Sequence, residues 1–222
     1  EITEDEFTLA GADGFRLAVF KGKLVEPIAE PVSFIIPART LHEVNRLITD
    51  QEQPIEFTVT PAKSQALFKL ENVELVTQLI QGTFPDYAQL IPKDYDTKVI
   101  VSLEEFLRAT RTASIFARDG SGIVRVHVTQ GDTDTSGKLS IVSKAEEVGE
   151  NEGDINASVE GNESKIAFNS SYLTDVLGVL SSSQQPKLEV SLEITTPSSP
   201  GVLRLVGDNQ YVHVVMPMFV QW

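Results

Sequence analysis

Two stretches of the chain repeat one order of hydrophobic and polar positions: an apolar strand, an amphipathic helix, a turn with Gln and Pro, and a hairpin of alternating strands. The first copy begins at Val32 and the second at Lys165, and Phe34 of the first matches Phe168 of the second. Because the same pattern occurs twice, the sequence predicts two units with a similar α+β fold.

A shorter repeat precedes these copies, since residues 5–14 alternate apolar and polar side chains as residues 137–146 do. In the later copy a predicted strand, helix and strand come first, within residues 99–128, and the earlier copy has no counterpart to them. We therefore expect the chain to start inside its first fold unit.

Polar segments indicate a domain boundary and two loops. Residues 92–97 separate the units, so the predicted domains are 1–95 and 96–222. Residues 131–137 are predicted to form a turn between strands, and the acidic, glycine-rich residues 148–154 are predicted to form a loop.

Two predicted helices combine an apolar face with basic residues elsewhere. The apolar positions are Leu41, Val44, Leu47 and Ile48 in the first helix, and Leu103, Phe106, Leu107 and Ile115 in the second. Arg39 and Arg46 lie off the first face, and Arg108 and Arg111 lie off the second. Such faces are usually just solvated, but on an acidic chain they favour contact with nucleic acid. We expect these four arginines to share one concave surface.

The net charge limits how such a protein would bind DNA. The 222 residues carry a formal net charge of −14, whereas proteins that grip phosphates are usually basic. Composition alone favours an acidic cytosolic protein that its charge keeps soluble. A DNA-binding function therefore requires a special geometry, such as a ring that holds DNA topologically and needs few basic side chains.

Targeting signals and cysteines are absent from the sequence. No apolar run reaches the roughly 18 residues that cross a bilayer. The first residues, EITEDEF, are acidic and unlike a signal peptide, and the sequence has no cysteine. We therefore expect a cytoplasmic protein.

Candidate catalytic and metal-binding motifs are incomplete. Asp132 and Asp134 alternate like calcium ligands, but the glycine and the glutamate that complete such a loop are missing downstream. His42, His127 and His213 have no partner four residues away, so a zinc site has no support. The sequence contains neither a nucleotide-binding loop nor a nucleophile motif, and we expect no enzyme activity, metal or cofactor.

Four segments, in order, resemble motifs of the bacterial DNA polymerase sliding clamp, the beta subunit of the replicative polymerase. They are GADGFRLAVFKGKL at 11–24, GTFPDYAQLIP at 82–92, FNSSYLTDVL at 168–177 and VVMPM at 214–218. Each motif alone is weak, but together with the repeat they cover essentially the whole chain. The resemblance implies a partial second clamp domain followed by the third, each with helices packed on antiparallel β-sheet.

In this family three similar domains form a protomer, and two protomers close head to tail around duplex DNA with helices lining the hole. The resemblance therefore implies a non-catalytic processivity clamp of DNA replication, a homodimeric ring when full length. The first domain is absent here, so we expect that this chain alone neither closes a ring nor stays on DNA. The residues expected to face DNA are Arg39, Arg46, Arg108 and Arg111.

The family binds short peptides of the replicative polymerase, the clamp loader and repair proteins between its second and third domains. The matching positions here are Gly14, Phe15, Arg16, Leu17, Pro85, Leu90, Asn169, Tyr172, Pro200, Val214, Val215, Met216, Pro217 and Met218. Flexible methionines suit several related peptides. Phe15 stands where histidine or tyrosine is commoner, Gln89 stands where a basic residue is, and the ending FVQW also departs from the family. For Val214 and Met216 the alternative is a buried strand.

The alternative function is a ligand- or carbohydrate-binding β-rich domain without a DNA role. Such a domain needs converging polar groups or a carboxylate pair in one cleft. Glu104 and Glu105 are adjacent on a predicted helix and point in different directions, and no better pair is visible. Two similar helix-on-sheet units in the structure would favour the clamp.

Overall fold

The computed structural model describes residues 1–48, 51–118, 121–131, 136–145, 149–182 and 187–222. These residues form two compact units: Glu1–Gly11 with Lys21–Asp86, and Ala12–Phe20 with Tyr87–Trp222. Asp132 and Asp134, the aspartates with the spacing of calcium ligands, lie outside the described residues. Every helix in the described ranges is too short or too polar to cross a lipid bilayer.

The first unit contains a strand pair, a helix and a three-stranded sheet. Its elements are β1 (Ile2–Thr3), most of β2 (Glu6–Ala12), the end of β3 (Arg16–Lys23), α1 (Ala38–Leu47), β4 (Glu56–Val59), β5 (Gln65–Lys69) and β6 (Glu74–Gln78). β1 pairs antiparallel with β2, and β4, β5 and β6 form an antiparallel sheet in that order. Val44 of α1 is buried in a cluster with Phe68 and Leu70.

The described residues of the second unit form one long antiparallel sheet, two α-helices and a short 3₁₀ helix. Its elements are a 3₁₀ helix (Tyr87–Leu90), β7 (Thr97–Ser102), α2 (Leu103–Arg118), β8 (Ile123–Gln130), β9 (Ser136–Ala145), β10 (Gly149–Gly161), β11 (Ser164–Asn169), α3 (Ser170–Leu180), β12 (Glu189–Ile194), β13 (Gly201–Leu205) and β14 (Tyr211–Val215). With the Arg16–Phe20 part of β3, the sheet order is β3-β14-β13-β12-β7-β10-β9-β8-β11. Helices α2 and α3 pack together, and Phe106, Phe168 and Leu177 are fully buried in the core.

Both units contain a helix followed by three sequential antiparallel strands, which confirms the repeat predicted from the sequence. The order is α1, β4, β5, β6 in the first unit and α3, β12, β13, β14 in the second. The second unit also has β7, α2 and β8 ahead of the antiparallel β9–β10 pair, as the pattern in residues 99–128 predicted. The α+β class is therefore confirmed.

Two apolar residues expected on buried helix faces are exposed. Ile115 of α2 is 60% exposed, because the buried face of this helix runs through Phe106, Ala113 and Ala117 and Ile115 lies off that line. Ile48 is the C-cap residue of α1, where the extended backbone no longer carries the side chain on the helix face. The predicted burial of Ile115 and Ile48 was therefore wrong.

The acidic, glycine-rich segment 148–154 was wrongly predicted to be a loop. From Gly149 onward it is the first part of β10, which pairs antiparallel with β9, with Gly149 opposite Ala145. The exposed acidic residues of this part are Glu150, Glu152 and Asp154. They occupy every second position, as one face of a strand does. A solvent-facing row of carboxylates has the same composition as an acidic loop, which explains the error.

The division between the units follows Asp86, earlier than the boundary expected at 95/96. Hydrogen bonds fix the intervening segment to the second unit. Asp96 N–H donates to Ile194 O at 2.9 Å, and Thr195 Oγ1 donates to Asp94 O at 2.9 Å. The polar composition that suggested a boundary thus belongs to a surface segment of the second unit.

Candidate functional site

The turn between β2 and β3 is built on one aspartate. Asp13 Oδ1 accepts hydrogen bonds from the backbone N–H groups of Phe15 and Arg16, each at 3.1 Å. Gly14 has a φ of +83°, in the left-handed region that favours glycine. Aspartate commonly organises turns in this way. The turn leaves Phe15 at the surface with 56% of the residue exposed.

Arg16 connects this turn to helix α3. Its Nε donates to Asp13 Oδ2 at 2.9 Å, and its Nη1 donates to Asp175 Oδ2 at 2.6 Å. The guanidinium carbon lies 4.6 Å from the centre of the Tyr172 ring, within cation–π range. The rings of Phe15 and Tyr172 are stacked with centres 6.1 Å apart. Tyr172 and Asp175 are three residues apart on α3 and therefore lie on the same face of the helix. The guanidinium of Arg16 thus connects the turn to α3.

The ion pairs that Arg16 forms with Asp13 and Asp175 shift the pKa values of Arg16 and Asp13. The hydrogen bond with Asp175 is the largest cause that raises the pKa of Arg16, while desolvation opposes it. Desolvation raises the pKa of Asp13, but hydrogen bonds from Arg16 and from the Phe15 backbone outweigh it, so this pKa lies below its ordinary value. Asp13 and Arg16 are therefore both charged at neutral pH.

The residues that follow β14 lie beside the turn between β2 and β3. Val215 ends β14 opposite Arg16 of β3. Met216 N–H then donates to Phe15 O at 2.8 Å, and Met216 is 43% exposed beside the turn. The next residue, Pro217, is buried. We call the group that these contacts bring together, Phe15, Arg16, Tyr172 and Met216, the Phe15 surface.

The expected peptide-binding residues differ widely in exposure. Exposed are Gly14, Phe15, Pro85, Leu90 and Met216; half-buried are Arg16, Asn169, Tyr172, Pro200 and Met218; buried are Leu17, Val214, Val215 and Pro217. The buried residues present almost no surface to a ligand in this conformation. For Val214 the structure therefore agrees with the alternative of a buried strand, whereas Met216 lies beyond the strand and is exposed.

Asn169 has a structural role, and Leu90, Pro200 and Pro85 lie outside the turn, α3 and β14. Asn169 caps α3, because its side-chain oxygen accepts a hydrogen bond from Ser171 N–H at 2.9 Å. Leu90 ends the 3₁₀ helix, Pro200 precedes β13, and Pro85 belongs to the first unit. Their participation in one site stays a prediction.

Sequence reasoning missed the two aspartates that hold Arg16. A signal for Asp13 was present, since Asp-Gly between two strands is typical of a turn. Asp175 follows Tyr172 by three residues on a predicted helix, and this spacing indicates a shared face. The partner of Asp175, however, is 159 residues away in the chain, and no local pattern specifies such a pair.

A polar pair on β14, a half-buried tyrosine and a buried histidine, was also missed. Tyr211 Oη and His213 Nδ1 are 2.8 Å apart, and His213 is buried, with no hydrogen-bond partner for Nε2 among the described residues. Burial, and then the nearby charge of Arg16, lowers the pKa of His213 to about 4, and burial raises the pKa of Tyr211 to about 12. Both side chains are therefore neutral at neutral pH. In the described part of the chain, no group of three or more histidine and acidic residues is arranged to hold a metal ion.

The basic residues expected to face DNA are exposed on two helices, one in each unit. Arg39 and Arg46 lie on α1, and Arg108 and Arg111 lie on α2. Arg46 pairs with Glu43 at 2.8 Å, which neutralises part of the α1 face. The expected exposure of these arginines is confirmed, while their function and their common surface stay predictions.

Comparison with known proteins shows the family of this chain. A family model described as DNA polymerase III beta subunit, C-terminal domain, matches residues 88–219, and one described as the central domain matches residues 1–86. The beta sliding clamp of Staphylococcus aureus is 32% identical over 218 residues, which cover 98% of this chain and 54% of that protein. The chain thus spans about half the length of the curated relatives it matches.

Solved structures agree with this result. The DNA polymerase sliding clamp of Bacillus subtilis is similar to this chain with a TM-score of 0.89 and 29% identity, over 99% of this chain and 55% of that one. The DNA polymerase III beta subunit of Thermotoga maritima gives a TM-score of 0.85 with 25% identity, over 100% of this chain and 56% of that one. The resemblance carried by the four motifs is confirmed, and the chain belongs to the DNA polymerase III beta subunit family, the bacterial sliding clamps.

Proposed function

We propose that this chain is the central and C-terminal part of a clamp that encircles duplex DNA and tethers polymerases, the clamp loader and repair proteins through short peptides. Its family connects it with DNA replication. The peptide part of the proposal rests on the Phe15 surface, where an exposed aromatic ring, an exposed methionine and a tyrosine–arginine pair meet. The full-length protein would act in the cytoplasm as a homodimeric ring without catalytic activity.

The ligand that we propose for the Phe15 surface is a short peptide with Gln and Leu or Phe anchors. The Phe15 and Tyr172 rings offer a rigid apolar face, and the thioether of Met216 adapts to different side chains. Two aspartates hold Arg16, so the surface is formed before the ligand arrives. Because a short peptide loses conformational entropy on binding, we expect a binding free energy of roughly 7–8 kcal/mol, which corresponds to a micromolar Kd. The other exposed and half-buried positions of the second unit that the resemblance implies are proposed to border this surface.

Contact with DNA is proposed for the arginines exposed on α1 and α2. The net charge of −14 opposes tight binding to phosphates, and the ion pair of Arg46 with Glu43 reduces the attraction further. Weak contact suits a ring, because topology and not affinity keeps the duplex in place. This chain alone should therefore bind linear duplex DNA weakly and with a steep salt dependence.

Isothermal titration calorimetry with one such peptide tests the proposed function. We expect micromolar binding by the wild type and a loss of about 1–2 kcal/mol in Phe15→Ala, which removes an exposed anchor ring. Ile115→Ala removes an exposed apolar side chain from α2 of the same unit and should leave the affinity unchanged. Equal affinities of all three chains, or no binding by the wild type, would contradict the peptide function.

A further inference from the structure

The segment after β14, residues 216–222, makes contacts with the sheet at points away from the Phe15 surface. Pro217 is buried, and Met218 N–H donates to Ala167 O at 2.8 Å. Ala167 lies in β11, the outermost strand of the second unit's sheet, which pairs with β8 on its other side. The segment therefore runs from the Phe15 surface to the edge of β11.

Trp222 sits on two side chains at the far end of this path. Lys165 of β11 and His127 of β8 are directly opposite in the antiparallel register, so their side chains stand on one face of the sheet. Lys165 Nζ lies 4.9 Å from the centre of the Trp222 ring, and the His127 ring meets Trp222 edge-on with ring centres 5.4 Å apart. Both arrangements are attractive. Desolvation, followed by the charge of Lys165, lowers the pKa of His127, so this ring is neutral at pH 7.

Phe219 of the same segment provides a contrast. It is 89% exposed, whereas the larger Trp222 is 46% exposed. A segment without specific contacts would leave both aromatic residues in solvent to a similar degree. The partial burial of Trp222 therefore comes from its position over Lys165 and His127.

We propose that Trp222 is a positioning residue for the Phe15 surface. By sitting on Lys165 and His127, it anchors the segment beyond its hydrogen bond to β11 and keeps Met216 in place. The proposal rests on the peptide-binding function proposed above. Without Trp222 the described contacts that hold the segment would end at the buried Pro217 and the Met218 hydrogen bond, and segments tied at few points fray. A ligand would then find the surface assembled in only a fraction of the molecules, and its apparent affinity would fall accordingly.

The fluorescence of Trp222 tests its position without any ligand, because it is the only tryptophan in the chain. We expect Lys165→Ala to increase acrylamide quenching of the Trp222 emission toward that of free tryptophan. Lys165→Arg keeps a cation over the ring and should stay close to the wild type. Acrylamide is neutral, so the change in charge does not alter its access. Equal quenching in all three chains would overturn the proposal.

Peptide calorimetry then tests the positioning role. Trp222→Ala should weaken binding about three- to tenfold, and Trp222→Phe, which keeps an aromatic ring, should bind almost as well as the wild type. Phe219→Ala is the matched control, since its exposed side chain does not hold the segment, and its affinity should not change.

Each other outcome has a distinct meaning. Wild-type affinity in Trp222→Ala would overturn the positioning role and leave the peptide function standing. An equal loss in Phe219→Ala would also overturn it, because the segment would then act by touching the ligand directly. No binding by the wild type would overturn the proposed function, while the quenching measurement would still test the position of Trp222.

Discussion

Acidification should destabilise the second unit through the buried His213. Its Nδ1 lies 2.8 Å from Tyr211 Oη, within hydrogen-bond distance, and its Nε2 has no hydrogen-bond partner in the described part of the chain. Burial is the largest cause that lowers the pKa of His213 from 6.5 to about 4, and Arg16 contributes in the same direction. The folded chain therefore keeps this ring neutral at pH values where the unfolded chain protonates it.

The size of the effect follows from the difference between the two pKa values. Between pH 6.5 and about pH 4 the unfolded chain binds the extra proton, so the free energy of unfolding falls as the pH falls. One pKa unit corresponds to about 1.4 kcal/mol, and the whole shift therefore corresponds to about 3 kcal/mol. The stability that the neutral His213 ring contributes is fully present above pH 6.5 and is lost as the pH falls through about 4.

Urea unfolding followed by Trp222 emission measures this effect, because Trp222 belongs to the second unit. His213→Phe fills the same space without titrating, and the carboxylates titrate in both chains, so the difference between the chains isolates His213. From pH 7 to pH 4.5 we expect the wild type to lose about 2–3 kcal/mol more than the variant. The unpaired Tyr211 hydroxyl of the variant adds a constant offset. Parallel pH profiles would refute this account.

Three further predictions concern single side chains and use the same unfolding assay. Asp175→Ala should lower the free energy of unfolding by about 1 kcal/mol, and its coupling to Arg16 in a double-mutant cycle should shrink at high salt; salt-independent coupling would contradict the ion pair. Gly14→Ala should cost about 1–2 kcal/mol because φ is +83° there, and an unchanged stability would argue against this turn. Phe106→Ala should cost about 3–5 kcal/mol and Ile115→Ala less than about 0.5 kcal/mol, whereas similar losses would contradict the burial of α2.

The fold was predictable because its signals are periodic. The helix and the three strands after Val32 and after Lys165 repeat one pattern, and the buried faces of both copies follow from it. The errors occurred where a local pattern has two structural meanings. Carboxylates at every second position of β10 have the composition of a loop. Ile115 is apolar but lies off the buried stripe of α2, whose final positions are taken by the small residues Ala113 and Ala117.

The candidate site was predictable only in part. The resemblance indicated Phe15, Arg16, Tyr172 and Met216, and the structure brings these residues together. The side chains that fix them were not predicted, because an ion pair between residues far apart in the chain has no periodic signal. Burial was also assigned poorly at Leu17, since a strand residue beside a ligand surface and one beneath it show the same alternation.

The register between β3 and β14 explains why the Phe15 surface forms where it does. Leu17 pairs with Val214 and Arg16 pairs with Val215, so the turn before β3 lies beside the residue after β14. Because neighbouring strand residues point to opposite faces, Arg16 lies on the face opposite Leu17, which it shares with its paired residue Val215 and on which its guanidinium meets Asp175 of α3. A shift of one residue would bury Arg16 and break its ion pairs, which makes that register strongly unfavourable. Phe15 and Met216 lie outside the paired positions, so a different side chain at either one would change the exposed surface without changing the register.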